Sequence, residues 1–196
     1  MQVEVFWDVT SPYTFLAHTQ LPEMARRTGA SLWYRPMLLG GVFKAIGHAM
    51  PAAVPGKGAY MQRDLARWRD RYGIAFRLPV REVVFPVNSV FAMRVATVLA
   101  ARGRGFDGAD ALMRAYWVDG RDVSDRDVVR AVVETLALEA DEVVAAAEDA
   151  DTKSALRATT DEAVERGVFG APTMFVDGEM FWGNDRLSFV EAALAR

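Results

Sequence analysis

VEVFWDVTSPYTFL, residues 3 to 16, reads as a strand that runs straight into a helix. Val3, Val5 and Val9, with Phe6 and Trp7 between, form a β-branched and aromatic run suited to a strand. Ser11-Pro12 then marks the joint, Ser as N-cap and Pro at the first helical position, where its missing N–H costs nothing. Such a pair is first of all a cap. The same place gathers unpaired backbone N–H groups and the positive end of the helix dipole, which stabilise an anion brought to the Ser11 hydroxyl.

Working outward, Phe15, Leu16 and Leu21 continue the helix to a stop near Thr28-Gly29, and Pro22 is expected to bend or break it. SLWYRP, residues 31 to 36, reads as a second strand, parallel to the first through a right-handed crossover. Residues 38 to 60 hold five Gly and two Pro, which predicts a loop with a short helix. Lys57 stands in it between Gly56 and Gly58, either solvated or an anchor for a ligand carboxylate. From Met61 to Arg166 the spacing turns helical, interrupted by an extended segment at 79 to 86. Ser124-x-x-Asp127 predicts a capping box, residues 141 to 150 a helix, and Gly167 a helix stop.

Strands return at Thr173 to Val176 and Glu179 to Trp182, flanking Asp177-Gly178, a strong signal for a tight hairpin. Ala171-Pro172, just ahead of the first of these strands, is where a cis bond is plausible. Gly183-Asn184-Asp185 opens the last helix, with Asn184 or Asp185 as its cap.

The chain has 196 residues, a formal net charge of -3 and no cysteine. One domain with a large insertion fits that length. With no basic run, nucleic acid is not an expected partner, and no apolar stretch reaches the ~18 residues that span a bilayer. A cytoplasmic protein is expected, since nothing at the N-terminus suggests export. Disulfides, thiolate metal sites and a protein-borne sulfur nucleophile are excluded, and no metal site is expected, His18 and His48 being the only imidazoles. Any sulfur chemistry needs a thiol from a small molecule.

The strand-to-helix joint and the Ala171-Pro172 hairpin together resemble a thioredoxin fold, with Ser11-Pro12-Tyr13-Thr14 where its disulfide oxidoreductases carry Cys-Pro-x-Cys. Five further blocks, YRPMLLGGVFKAIG (34 to 47), VPGKGAYM (54 to 61), FPVN (85 to 88), GVFGAPT (167 to 173) and FWGNDRL (181 to 187), look like the 2-hydroxychromene-2-carboxylate isomerase family, relatives of the kappa-class glutathione transferases. The resemblance implies an α/β, thioredoxin-like fold with a large all-helical insertion. Residues 1–56 and 167–196 would form the thioredoxin-like part and 57–166 the insertion.

It also implies a site. Ser11 would activate the sulfur of glutathione, or of another low-molecular-weight thiol, docked beside Ala171 and Pro172. Asn184 and Asp185 would hold the γ-glutamyl end; Lys57 and His48 would meet the other end. The family commonly has Asn at position 48, and an imidazole there is larger and titratable. The second substrate would be a small aromatic keto acid, walled by aromatics such as Trp7, Phe43, Trp117, Phe169 and Trp182, its polar groups meeting Arg35 or Asn88. The reaction would be a glutathione-dependent cis/trans isomerisation of a 2-hydroxychromene-2-carboxylate or benzylidenepyruvate type, performed by a homodimer. The alternatives are a kappa-type glutathione transferase or peroxidase and a non-catalytic thiol- or peptide-binding module.

Overall fold

The computed structural model describes residues 1–77 and 87–196. The segment expected to be extended at 79 to 86 lies outside them, as does the first half of the FPVN block. Among the described residues, four strands form a sheet in the order β2-β1-β3-β4. β1 (Gln2–Trp7) pairs in parallel with β2 (Ser31–Pro36) and antiparallel with β3 (Thr173–Val176), which turns back into β4 (Glu179–Trp182). The hairpin follows from its turn residues, Asp177 at φ 48° and Gly178 at φ 82°, the positive pair that a two-residue turn needs.

Between β1 and β2 runs α1 (Pro12–Thr28), which ends on Gly29 at φ 69°. Pro22 does not break it. The ring is exposed, while Leu21 and Met24 on either side are buried, so packing of the flanking turns offsets the one lost backbone bond.

Among the described residues, six helices fill the span between β2 and β3 beyond a short α2 (Leu39–Ala45): α3 (Pro55–Tyr72), α4 (Val90–Ala101), α5 (Gly105–Trp117), α6 (Arg126–Glu134), α7 (Ala140–Ala146) and α8 (Ala150–Glu165). The fold is therefore mixed α/β and thioredoxin-like, with a helical insertion from α3 to α8. Three local expectations need correction. Lys57 lies in the first turn of α3, not in a loop, because Pro55 starts that helix at its N1/N2 position. α6 is capped by Asp125, whose carboxylate accepts from Asp127 N–H, and not by Ser124, which bonds Asp122 instead. The last helix, α9 (Leu187–Leu194), follows a 3-10 turn at Asn184–Arg186 and has no side-chain cap.

The sheet separates two cores. Val3, Val5, Trp7, Tyr34 and Met174 join α1, α4 and α5 on one side, while Phe6, Phe175, Val42 and Ala163 pack together on the other, with α2 and α8. Among the described residues no helix is long and apolar enough to cross a membrane.

Candidate active site

Ser11 is the N-cap of α1 in both geometry and bonding. Its backbone is extended at φ -87°, ψ 113°, and its Oγ accepts the Thr14 N–H at 3.1 Å. The hydroxyl proton goes elsewhere: Ser11 Oγ donates to the carbonyl oxygen of Ala171 at 2.7 Å. The residue is 4% exposed, and no acidic residue occupies the first turn of the helix itself.

The second half of the site is the loop ahead of β3. α8 ends with Gly167 at φ 82°, its N–H on Val164 O and the Val168 N–H on Ala163 O, a Schellman arrangement that turns the chain out of the helix. The Ala171-Pro172 bond is cis. Internal donors meet all three neighbouring carbonyls: Thr173 Oγ1 donates to Gly170 O at 2.8 Å, Ser11 to Ala171 O, and Gly183 N–H to Pro172 O at 3.0 Å. These three carbonyls of the loop are thus all occupied, and Ala171 is 9% exposed. Among the described residues the Ala171 N–H has no acceptor.

Trp182 lies over this loop. A Cβ on Gly170 would stand 2.4 Å from Trp182 Nε1, so glycine there permits the approach, and Phe169 meets the same indole at 4.8 Å between ring centres. The indole is 48% exposed, which leaves it available as a wall. Gly183 links this strand to Asn184, which is buried and exchanges long 3.4 Å contacts with the Tyr72 hydroxyl of α3. Asp185 is exposed and paired with Arg186 at 2.6 Å. Ser11, Ala171, Pro172, Trp182 and Asn184 therefore form one connected group.

Among the described residues the other candidates are not bonded to this group. His48 and Lys57 are exposed, and among the described residues neither side chain bonds any member of that group; His48 packs against Phe43 at 5.3 Å. Trp7 is no pocket wall: it is fully buried against Tyr34, because both faces of β1 are covered. Trp117 is likewise core, its Nε1 donating to Val9 O at 2.8 Å and its ring stacked on Phe76. Arg35 is committed to Glu4 at 2.9 Å and to Glu162, with its guanidinium over Trp33 and Phe6, on the sheet face covered by α8. Asn88 is exposed and accepts the Val90 N–H at 3.1 Å at the start of α4. His18 is buried between the Tyr34 hydroxyl and Asp110. A cleft of about 500 Å³ bordered by Arg104, Asp110, Arg114 and Leu136 contains none of the sequence candidates.

Three residues near the site escaped sequence reading. Asp8 is fully buried; it accepts Thr10 N–H and Oγ1 at 2.9 Å each, Leu39 N–H at 2.9 Å and Ser89 Oγ at 3.1 Å. Burial pushes its carboxyl above the ordinary Asp value, against the pull of those donors. The Asp8-x-Thr10 spacing was the available signal, since Asp bonds the N–H two residues on in an Asx turn. Tyr13 donates to Asp64 on α3 at 3.0 Å, tying the insertion to the first turn of α1; burial first, then Asp64, pushes the phenol up. Thr14 contributes a buried Oγ1 with no hydrogen-bond partner among the described residues.

A family model for the DSBA-like thioredoxin domain matches residues 2–195. A 2-hydroxychromene-2-carboxylate isomerase of Sphingobium xenophagum is 35% identical over 98% of this chain and 97% of its own. Human glutathione S-transferase kappa 1 is 29% identical over 96% of this chain and 88% of its own. A solved structure of a 2-hydroxychromene-2-carboxylate isomerase superposes with a TM-score of 0.89 at 29% identity, covering 100% of this chain and 95% of that one. With its strand-to-helix Ser11, its cis-proline loop and these full-length matches, the chain belongs to the DSBA-like thioredoxin domain family and, within it, to the family of the 2-hydroxychromene-2-carboxylate isomerases.

Proposed function

We propose that the protein is a glutathione-dependent cis/trans isomerase acting on a conjugated aromatic keto acid of the 2-hydroxychromene-2-carboxylate or benzylidenepyruvate type. The observation that carries the reading is the Ser11 hydroxyl at the α1 N-terminus, 2.7 Å from the carbonyl ahead of cis-Pro172, in a chain without cysteine.

The residues fit a thiol peptide. Among the described residues, Ala171 has an N–H without an acceptor beside a carbonyl whose one donor is the Ser11 hydroxyl, a pair of main-chain groups that an extended amide can meet. Ser11 would donate to the sulfur. A cysteine-type thiol has a reference pKa of ~8.5, and ~1.4 kcal/mol of preference lowers it by one unit. One hydroxyl bond to a charged acceptor supplies ~1.5 to 3 kcal/mol. The helix terminus adds ~0.3 to 1 kcal/mol. Together these favour the ionised sulfur at neutral pH.

Bound there, glutathione would supply a nucleophilic sulfur that adds reversibly to the conjugated double bond and is returned unchanged after rotation. Asp185, and with it Asn184, is proposed to take the amino-acid end, and Lys57 and His48 the far end. Trp182, Phe169 and Phe43 are proposed to border the flat second substrate. A homodimer remains part of the reading and would be seen by sedimentation.

Isomerisation of a benzylidenepyruvate-like acid in the presence of glutathione, with the thiol concentration constant, is the expected result. A rate indifferent to glutathione would reject the reading. Stoichiometric loss of thiol would favour the second one, a kappa-type transferase, for which the 29% identity to the human kappa enzyme speaks.

A further inference from the structure

A serine hydroxyl has one proton to give. In this structure Ser11 has already given it, to Ala171 O at 2.7 Å, while the Thr14 N–H holds the oxygen from the other side at 3.1 Å. A hydroxyl so placed cannot also donate to a sulfur unless Ala171 O receives another donor, because an acceptor left buried and unpaired costs about as much as the new bond would gain. Ala171 is buried with its carbonyl turned to Ser11, and its own N–H has no acceptor among the described residues.

We infer that Ala171 makes Ser11 selective for thiols that carry a main-chain amide: the ligand's N–H takes over Ala171 O, and only then is the Ser11 proton released to the sulfur. This rests on the thiol reading above and names the ligand class within it. The required thiol has an amide N–H on the same carbon that bears the CH₂–S group, as in a cysteinyl residue within a peptide. The Ala171 N–H donates to that residue's carbonyl oxygen in the same pairing. The Thr14 N–H keeps Ser11 Oγ in place during the exchange, so that only the hydroxyl hydrogen turns. The thiol proton leaves to solvent. A bare mercaptan can occupy the sulfur position, but the Ser11 hydroxyl stays on Ala171 O and the sulfur gains only the helix terminus.

The test uses glutathione and its ester analogue, in which the N–H of the cysteinyl residue is replaced by oxygen. Thiolate absorbance is titrated for each ligand free and bound, and the shift on binding is compared. With glutathione the bound thiol should titrate well below its free value, and Ser11→Ala should remove about one to two units of that shift. With the ester the shift should already be smaller by about that amount, and Ser11→Ala should change it little. An equal Ser11→Ala effect on both ligands overturns the inference and leaves the thiol reading standing. Failure of both ligands to bind, or to shift at all, overturns the thiol reading and the inference together. If Ser11→Ala does not fold, the comparison of the two ligands in the unaltered protein decides alone: equal shifts overturn the inference.

Discussion

The Ser11 hydroxyl reaches the Ala171 carbonyl across 160 residues of sequence and closes the α1 N-terminus against the cis-proline loop. The contact joins the two ends of the sheet-bearing part of the chain, so one side chain serves both as a helix cap and as a bridge between the halves of the site.

Ser11→Ala removes both bonds. Loss of the cap should lower stability by about 1 kcal/mol. Isomerisation should slow by about one to two decades, the equivalent of one lost charge-assisted bond. Steady-state kinetics beside a urea titration separates the two effects, and an unchanged kcat in a folded variant would remove Ser11 from the chemistry.

Thr14 should be improvable. Its Oγ1 is buried without a partner among the described residues, and an unsatisfied hydroxyl costs about 1 to 3 kcal/mol. Thr14→Val keeps the shape and the β-branch, and should raise the urea midpoint by an amount equivalent to about 1 kcal/mol. A lower midpoint would mean that the hydroxyl is satisfied in solution.

Arg35→Met should cost stability and spare substrate affinity. The guanidinium is 12% exposed between Glu4 and Glu162, and its removal leaves two half-buried carboxylates short of a partner, an effect of about 1 to 3 kcal/mol. KM for the keto acid should stay within about twofold, roughly 0.4 kcal/mol. A KM raised tenfold would return Arg35 to the substrate site.

What was legible in the sequence had its cause nearby. Ser11-Pro12, Asp177-Gly178 and Gly29 each impose a local backbone geometry, and the structure has a cap, a tight turn and a helix stop there. The surroundings of Trp7 and Arg35 come from far away: Trp7 is covered by helices of the insertion, and Arg35 finds Glu162 across 127 residues. Lys57 is helical because Pro55 starts α3 ahead of two glycines that composition alone would assign to a loop. Asp8 draws on Leu39 and Ser89, 31 and 81 residues on, which no window around it contains.

Asp8 gives the sharpest pH test, because its shift runs opposite to that of Glu4. Burial raises the Asp8 carboxyl in the folded protein, so its favourable contribution is complete below the unfolded value of ~3.9 and is lost as pH rises through the folded one. The Arg166 guanidinium bonded to Glu4 lowers that carboxyl, so its contribution is present above ~4.3 and is lost as pH falls through its depressed value. Asp8→Asn removes the first titration and leaves the second. The amide oxygen can still accept from Thr10, while its NH₂ group faces the Leu39 N–H and loosens the start of α2. The stability difference, parent minus Asp8→Asn, should therefore decline as pH rises from about 4, by ~1.4 kcal/mol for each unit by which folding raises the Asp8 pKa, and then level off. Urea titrations of both proteins across this range measure it. A difference that is flat with pH would show that the four donors from Thr10, Leu39 and Ser89 cancel the effect of burial, and a difference that grows with pH would show that they outweigh it.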